Sequence, residues 1–153
     1  MTLRESLLLV HVLAAMIWLG GGVLLVAFGR RTLRRGNAGA TTAYLRDSEF
    51  AGQVFGASTA LVLGSGIWLV FEVSAWGFDQ AWILVGLILG GAMFLMGPAY
   101  HVPQVKRRIV AAEEKGGTHP DVVGAVGRWL RIATVEVGVM VFVLWLMIVK
   151  PWM

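Results

Sequence analysis

Four long apolar runs constrain this chain more than any other feature of its sequence. They cover residues 7–28, 50–71, 81–100 and 132–149. A helix needs about 20 apolar residues to cross the hydrocarbon core of a bilayer, so each run is long enough to span it once. We therefore predict an all-α fold, an integral membrane four-helix bundle that occupies residues 1–153 as one transmembrane domain.

The composition excludes most other classes of protein. Apolar residues make up 58% of the chain and charged residues only 14%, whereas a soluble domain has about 25% charged residues. This difference excludes a soluble enzyme, a nucleic-acid-binding module and a disordered chain. The absence of cysteine also excludes disulfides, thiolate metal sites, iron–sulfur clusters and cysteine nucleophiles.

The basic residues predict the orientation in the membrane. Segments 29–49 and 101–131 contain all of the 13 lysines and arginines except Arg4 and Lys150. Because basic loops stay on the cytoplasmic side, both segments are predicted to be cytoplasmic loops, with both termini outside. Anionic lipid, rather than nucleic acid, is the partner that such loops favour. We expect a protein of a bacterial or archaeal cytoplasmic membrane.

Local signals predict where helices end and bend on the inner side. Gly116 is expected to end a helix that continues past the third run, and residues 118–121 to begin the next helix with an early proline. Thr41 or Thr42 is the expected cap of the helix that enters the second run. The Gly-Pro pair at 97–98 is expected to bend the third helix, because proline removes a helix hydrogen bond.

Two further patterns concern the packing of the bundle. Trp18–Gly22 and Ile88–Ala92 are similar segments, each followed by an apolar turn and basic residues, as a duplicated helical hairpin would produce. Small residues let helices approach closely in lipid. Rows of small residues in the first three runs are therefore predicted to face neighbouring helices. They are Ala14, Ala15, Gly21 and Gly22 in the first run, Gly52, Gly56, Ala60, Gly64 and Ser65 in the second, and Gly86, Gly90 and Gly97 in the third.

Aromatic residues near the ends of the apolar runs are predicted to anchor the chain at the membrane surfaces. Trp76, Trp82 and Trp152 fall at the outer boundary, and Trp129 falls at the inner one. Trp18 differs from them because it lies near the middle of the membrane, and we count it as a candidate cofactor-binding residue.

His11 is the first candidate site residue, since an ionisable side chain inside a membrane marks a functional site by default. Its helical face continues through Ala14, Trp18 and Gly22, so we expect it to point into the bundle. A neutral imidazole suits haem iron, copper or a proton relay. The alternative is a histidine that hydrogen-bonds to a neighbouring helix or to an outer water pocket.

Glu136 is the second candidate, because it interrupts the fourth apolar run. One interpretation is proton or cation handling. The other is a structural hydrogen bond between helices, with Gln53, Ser58 or Thr59 of the second run as the partner. His11 and Glu136 differ in depth by about 10 Å at ~1.5 Å per residue, so they are not expected to touch.

Further candidates lie near these two residues. Met140 and Met147 bracket His11 in depth, which makes His–Met ligation of haem geometrically feasible, although methionine also fills gaps in apolar cores. Glu72 lies at the outer end of the second run and is expected to be hydrated. His101 and His119 are expected to be exposed on the cytoplasmic side.

The run from His11 to Gly21 contains a histidine followed by Trp18-Leu19-Gly20-Gly21, and it resembles the first span of a loose superfamily. That superfamily includes the copper resistance protein D family, the HemJ-type protoporphyrinogen oxidases and the integral membrane proteins of domain of unknown function 2269. The resemblance implies haem b or copper near the first-span histidine, with His11 as the ligand. The third run lacks the lysine expected of the HemJ type, and only one histidine is available for copper, so the third group fits best.

We therefore expect a small polytopic membrane protein that binds haem, or is linked to redox chemistry, through His11. Two alternatives stay open. One is a small transporter or channel-like protein with His11 and Glu136 on a polar path, which would require a homo-oligomer. The other is a structural accessory subunit. The sequence leaves open whether the chain is an enzyme.

Overall fold

The structure, a computed structural model, describes residues 1–150 and contains no strand in that range. The predicted all-α fold is confirmed. Trp152, a predicted outer anchor, lies outside the described residues. The helices are α1 (Leu3–Arg35), α2 (Ala38–Glu72), α3 (Ala81–Met96), a π-helix (Gly97–His101), α4 (Val102–Lys115) and α5 (Pro120–Val149).

These elements make four rods that are long and apolar enough to cross a membrane, because α3, the π-helix and α4 run on as one helix over Ala81–Lys115. At about 1.5 Å per residue, a helix the length of α1 measures about 50 Å, which exceeds the ~30 Å hydrocarbon core. The predicted apolar runs lie inside the rods. Segments 29–49 and 101–131 are mainly helical, so the rods extend well past the membrane at one end.

The short connection between α1 and α2 is built by two residues. Gly36 ends α1 with a φ of 59°, a left-handed conformation that glycine adopts without a steric penalty. The Asn37 side chain accepts a hydrogen bond from the backbone N–H of Ala40 and caps α2. The predicted cap at Thr41 or Thr42 is wrong, because the helix begins one turn earlier.

The connection between α4 and α5 follows the prediction. α4 ends before Gly116, and α5 begins at Pro120 with His119 as its N-terminal cap. The Lys115 ammonium donates a hydrogen bond of 2.9 Å to the Asp121 carboxylate. This contact holds the pKa of the exposed Asp121 carboxyl below its ordinary value.

The four rods form a ring in the order α1, α2, α3, α5. Helices that are adjacent in the ring contact each other, whereas the diagonal pairs α1–α3 and α2–α5 have no Cα atoms within 8 Å across residues 1–150. The ring therefore leaves space along its axis. We call the end with both termini and residues 73–80 the outer end, and the other end the inner end, after the predicted orientation.

The inner end has a compact apolar core of the kind found in soluble proteins. It joins the start of α2, α4 and the start of α5. Trp129 belongs to this core and is 3% exposed, and Trp82 near the outer end is 5% exposed. Surface anchoring is therefore the wrong interpretation for both tryptophans. The buried members of the inner core are Leu45, Val105, Ala112, Val122, Val126, Trp129 and Leu130.

Packing by small residues holds at some predicted positions and fails at others. A Cβ atom on Gly21 would overlap the Phe55 ring, so this ring packs directly against the Gly21 backbone and would have to move to admit a side chain. Gly52, Gly56 and Gly64 have no neighbouring atom within 4 Å of the position a Cβ would take. The predicted row in α2 is therefore wrong as a helix contact for these three glycines.

Candidate functional site

His11 lies on α1 and points into the bundle against α2, as predicted, and it is 9% exposed. Its Nδ1 atom is 3.0 Å from the carbonyl oxygen of Val62 and 3.1 Å from Oγ of Ser65. A carbonyl oxygen can only accept a hydrogen bond. Nδ1 therefore carries the proton, and the other ring nitrogen, Nε2, keeps its lone pair.

Two residues of α2 make this geometry possible. The Ser65 hydroxyl donates its hydrogen to the carbonyl oxygen of Leu61, so its oxygen is left to accept from His11. A Cβ atom on Gly66 would lie 3.1 Å from Cε1 of the His11 ring, so glycine leaves room for the ring to approach α2. The sequence predicted that Ser65 faces a neighbouring helix but not that it bonds to His11, and it did not single out Gly66, because neither is an unusual residue type in a membrane helix.

His11 lines a cavity of about 530 Å³, which we call the outer cavity. Trp18, Met140 and Met147 also line it, so the structure brings the predicted cofactor residues together around one space. Nε2 of His11 has no hydrogen-bond partner among residues 1–150. Met16 and Met93 contribute two further thioethers to the lining.

The basic residues of the outer end also reach the outer cavity. Arg4 and Lys150 both line it. Nζ of Lys150 lies 4.7 Å from the ring centroid of Trp76 and 5.5 Å from that of Trp82, so a positive charge is held beside the tryptophans by cation–π contacts. The cavity therefore combines apolar walls with a positively charged end.

Glu136 has a partner that the sequence did not predict. Its Oε1 atom is 2.8 Å from Nε2 of His101, and the indole N–H of Trp129 lies 2.8 Å from Nδ1 of the same imidazole. The expected bond to Gln53, Ser58 or Thr59 is wrong.

The other polar predictions have mixed outcomes. His101 is half-buried rather than exposed, so the expectation of an exposed cytoplasmic histidine is wrong for it. Gln53 is exposed. Glu72 is exposed as expected, and it accepts a 3.3 Å hydrogen bond from the Trp68 indole.

The π-helix positions His101. Pro98 and Pro103 both lack a backbone N–H, so the helix around them lacks two of its ordinary hydrogen bonds. The chain makes one wider turn, in which the N–H of Val102 donates to the carbonyl of Gly97, five residues back. Single π-turns of this kind are frequent at functional sites. The bend predicted at residues 97–98 lies within this π-helix. The sequence did not predict that His101 would contact Glu136 as a result.

A second cavity of about 240 Å³, the inner cavity, contains the pair of His101 and Glu136. Trp18, Met93 and Met140 line both cavities, so these three side chains form the boundary between them. His11 and Glu136 consequently belong to neighbouring spaces along the axis of the bundle and do not touch.

The two cavities offer different chemistry. The outer cavity presents a basic imidazole nitrogen, soft sulfur atoms and cations, which is a set of groups for ligating a metal and binding anionic substituents. The inner cavity presents a carboxylate whose histidine neighbour has both ring nitrogens engaged. His101 is therefore a positioning residue for Glu136 and has no free nitrogen with which to hold a metal.

These features define a four-helix integral membrane protein with ionisable side chains inside the bundle. Over residues 5–151 the chain matches the family described as predicted integral membrane protein (DUF2269), and it belongs to that family. No curated protein and no solved structure matches the chain. Membership confirms the predicted resemblance to this family. The wider likeness to copper resistance protein D and HemJ-type proteins stays a prediction.

Proposed function

We propose that the protein binds haem b in the outer cavity, with Nε2 of His11 as an axial ligand to the iron. One observation carries the proposal: His11 lines the cavity, its Nδ1 donates to the Val62 carbonyl, and its Nε2 has no hydrogen-bond partner among residues 1–150. Histidines that ligate metals almost always donate their other ring N–H to a carbonyl, carboxylate or water, which fixes the tautomer and the ring orientation. Haem bound there would supply one-electron redox chemistry.

The size and lining of the outer cavity support haem over a bare copper ion. Its volume of about 530 Å³ falls in the range of small-molecule pockets, about 300–1,000 Å³. Haem brings four nitrogen ligands of its own, so it needs only axial ligands from the protein. Residues 1–150 contain no group of three histidine, aspartate or glutamate side chains that could hold a metal ion. Met140 and Met147 are the candidates for the second axial position.

The positive end of the outer cavity fits the two propionates of haem. Arg4 and Lys150 line this end, and charge-assisted hydrogen bonds from arginine or lysine to carboxylates are stronger than neutral ones. The apolar side chains that line the cavity would hold the porphyrin, and Arg4 and Lys150 would hold its carboxylates.

The test is an absorption spectrum of the protein, expressed with ample haem and purified in mild detergent, before and after reduction with dithionite. We expect a Soret band that shifts on reduction and that is lost in His11→Asn. Asparagine can still donate to the Val62 carbonyl through its side-chain amide, but it offers no ligand nitrogen. His11→Ala serves as the second variant.

The matched control is His119→Asn. His119 caps α5 outside both cavities, and asparagine is a good helix cap, so this variant should keep the full Soret band. A colourless wild-type protein, or a Soret band of equal intensity in His11→Asn and His119→Asn, would contradict haem ligation by His11.

The two alternatives from the sequence stay predictions. Transport along a path from His11 to Glu136 requires a passage through the boundary formed by Trp18, Met93 and Met140. It would appear as flux into liposomes that falls in Glu136→Gln. An accessory role would appear as a larger complex on mild extraction, with neither haem nor flux.

A further inference from the structure

The inner cavity contains a carboxylate that no lysine or arginine of residues 1–150 pairs with. The indole N–H of Trp129 can only donate, so Nδ1 of His101 accepts and Nε2 donates its proton to Glu136. A second ring proton would point at the Trp129 N–H. Both nitrogens of His101 are thereby engaged, and one carboxylate oxygen of Glu136 is held by the imidazole.

The surroundings of Glu136 supply no other cation. Within residues 1–150, no lysine or arginine nitrogen lies within 4.0 Å of its carboxylate, and His101 is its one basic neighbour at that distance. A charge inside a membrane bundle is costly unless it is paired. The geometry therefore leaves a place for one positive charge beside Glu136.

The other polar side chains of the inner cavity present acceptor atoms. The hydroxyl of Ser48 donates to the carbonyl of Tyr44, and the hydroxyl of Thr59 donates to the carbonyl of Phe55, each over 2.7 Å. Both hydroxyls therefore offer only lone pairs to the cavity. Glu49 adds a second carboxylate at the inner end, where Nζ of Lys106 lies 4.0 Å away. The indole of Trp18, at the boundary with the outer cavity, differs from these groups because its N–H can only donate a hydrogen bond.

An acceptor-rich, negatively charged space with aromatic walls is complementary to a protonated amine. An ammonium group carries a positive charge and several N–H donors but no acceptor, and aromatic faces attract cations. Trp18, Phe55, Phe94 and Trp129 line the cavity. A hard divalent ion needs six or more oxygen ligands, and residues 1–150 show no cluster of three metal-binding side chains.

We propose that the inner cavity is a binding site for a small aromatic or aliphatic primary ammonium ion, which places its charged group against Glu136. The N–H of His101 Nε2 fixes the carboxylate, and the Ser48 and Thr59 hydroxyls accept from the ammonium N–H groups. The proposal concerns a different cavity from the haem site and does not rest on haem binding at His11.

The test is isothermal titration calorimetry on the purified full chain in detergent with three probes of similar shape. Benzylammonium has both the charge and the N–H donors, benzyltrimethylammonium has only the charge, and benzyl alcohol has no charge. We expect saturable binding of one benzylammonium per chain. Binding of benzyltrimethylammonium should be several-fold weaker, and that of benzyl alcohol at least about tenfold weaker, the factor that one charge contact of ordinary strength provides.

Two substitutions complete the test. Glu136→Gln keeps an acceptor oxygen for His101 and removes the charge, so it should weaken benzylammonium binding at least about tenfold. Thr59→Val should weaken it several-fold, which keeps the proposal testable if Glu136→Gln does not fold. Glu72→Gln, at an exposed site, is the matched control and should bind as the wild type does. It also corrects for partition of the probe into micelles.

Several results would overturn the proposal. They are equal binding of benzyl alcohol and benzylammonium, unchanged binding in folded Glu136→Gln, or no saturable binding of benzylammonium. Binding of sodium or potassium that depends on Glu136, in a protein that does not bind benzylammonium, would assign the site to an inorganic cation instead.

Discussion

His11 and His101 are two histidines in neighbouring cavities of one bundle, and their hydrogen-bond partners give them opposite properties. Nδ1 of His11 donates to a carbonyl, and Nε2 is left with a lone pair and no hydrogen-bond partner among residues 1–150, in a side chain that lines the outer cavity. His101 accepts from the Trp129 indole and donates to Glu136, so both of its nitrogens are engaged. The partner of a histidine, rather than its burial, decides whether it can act as a ligand.

The two cavities also differ in the sign of the charged residues that line them. Arg4 and Lys150 line the outer cavity, whereas Glu49 and Glu136 line the inner one. The outer cavity therefore suits a ligand with carboxylates, and the inner cavity suits a cation. One bundle separates two kinds of ligand by the sign of its lining charges.

The largest expected effect comes from removing the hydrogen bond that the Trp129 indole donates to His101. Trp129→Phe keeps an aromatic ring beside Arg108, whose Cζ lies 5.5 Å from the Trp129 ring centroid, but it removes the indole N–H. Nδ1 of His101 then loses its hydrogen-bond donor, so the imidazole is no longer held in one orientation against Glu136. Benzylammonium affinity in this variant should fall by about tenfold, which corresponds to roughly 1.4 kcal/mol.

Calorimetry on the variant and the wild type measures this difference directly. Glu72→Gln, at an exposed site, is again the control and should bind benzylammonium as the wild type does. Equal benzylammonium affinity in Trp129→Phe and the wild type would show that the Trp129 N–H does not position His101 for the site.

A smaller effect is expected from a single methyl group beside His11. Gly66→Ala places a Cβ atom 3.1 Å from the imidazole, so the ring must shift by a few tenths of an ångström away from the Val62 carbonyl. We expect haem affinity to fall several-fold, measured by titration of haem into the apoprotein. Gly64→Ala is the matched control, since its Cβ would meet no neighbouring atom within 4 Å, and alanine favours a helix by about 1 kcal/mol over glycine. Equal haem affinity in the two variants would argue against a ligand role for His11.

The smallest effect is expected at the mouth of the outer cavity. Lys150→Gln removes one of the two cations that line this end. Exposed ion pairs contribute about 0.2–1 kcal/mol, so haem affinity should fall about two- to fivefold, and less at high salt. Lys106→Gln, at the inner end, should leave haem affinity unchanged. A larger loss in Lys106→Gln than in Lys150→Gln would reverse the proposed orientation of haem.

The sequence was sufficient for the membrane class and the number of helices, because an uncharged apolar run of about 20 residues has the length of a membrane-spanning helix. It also predicted that His11 points into the bundle, since the residues that follow on its helical face are mostly small. The end of α4 and the start of α5 followed from Gly116 and Pro120, whose backbone preferences are local.

The inner site was not predictable in the same way. His101 and Glu136 are 35 residues apart, and their contact depends on how α5 packs against the third rod. Without the π-turn, the position of His101 just past an apolar run favours exposure to water. The two prolines at 98 and 103 were the only local signal that the helix geometry changes there.

The π-turn also determines how the inner end of the molecule is assembled. A residue advances an α-helix by about 100°, so one extra residue in a turn rotates everything that follows by about that angle. The buried side of α4, which includes Val105 and Ala112 and packs with Leu45 and Val126, is set by this rotation. One five-residue backbone feature thus fixes both the angle of the His101 imidazole at the inner cavity and the register of the inner-end core, and neither can change without the other.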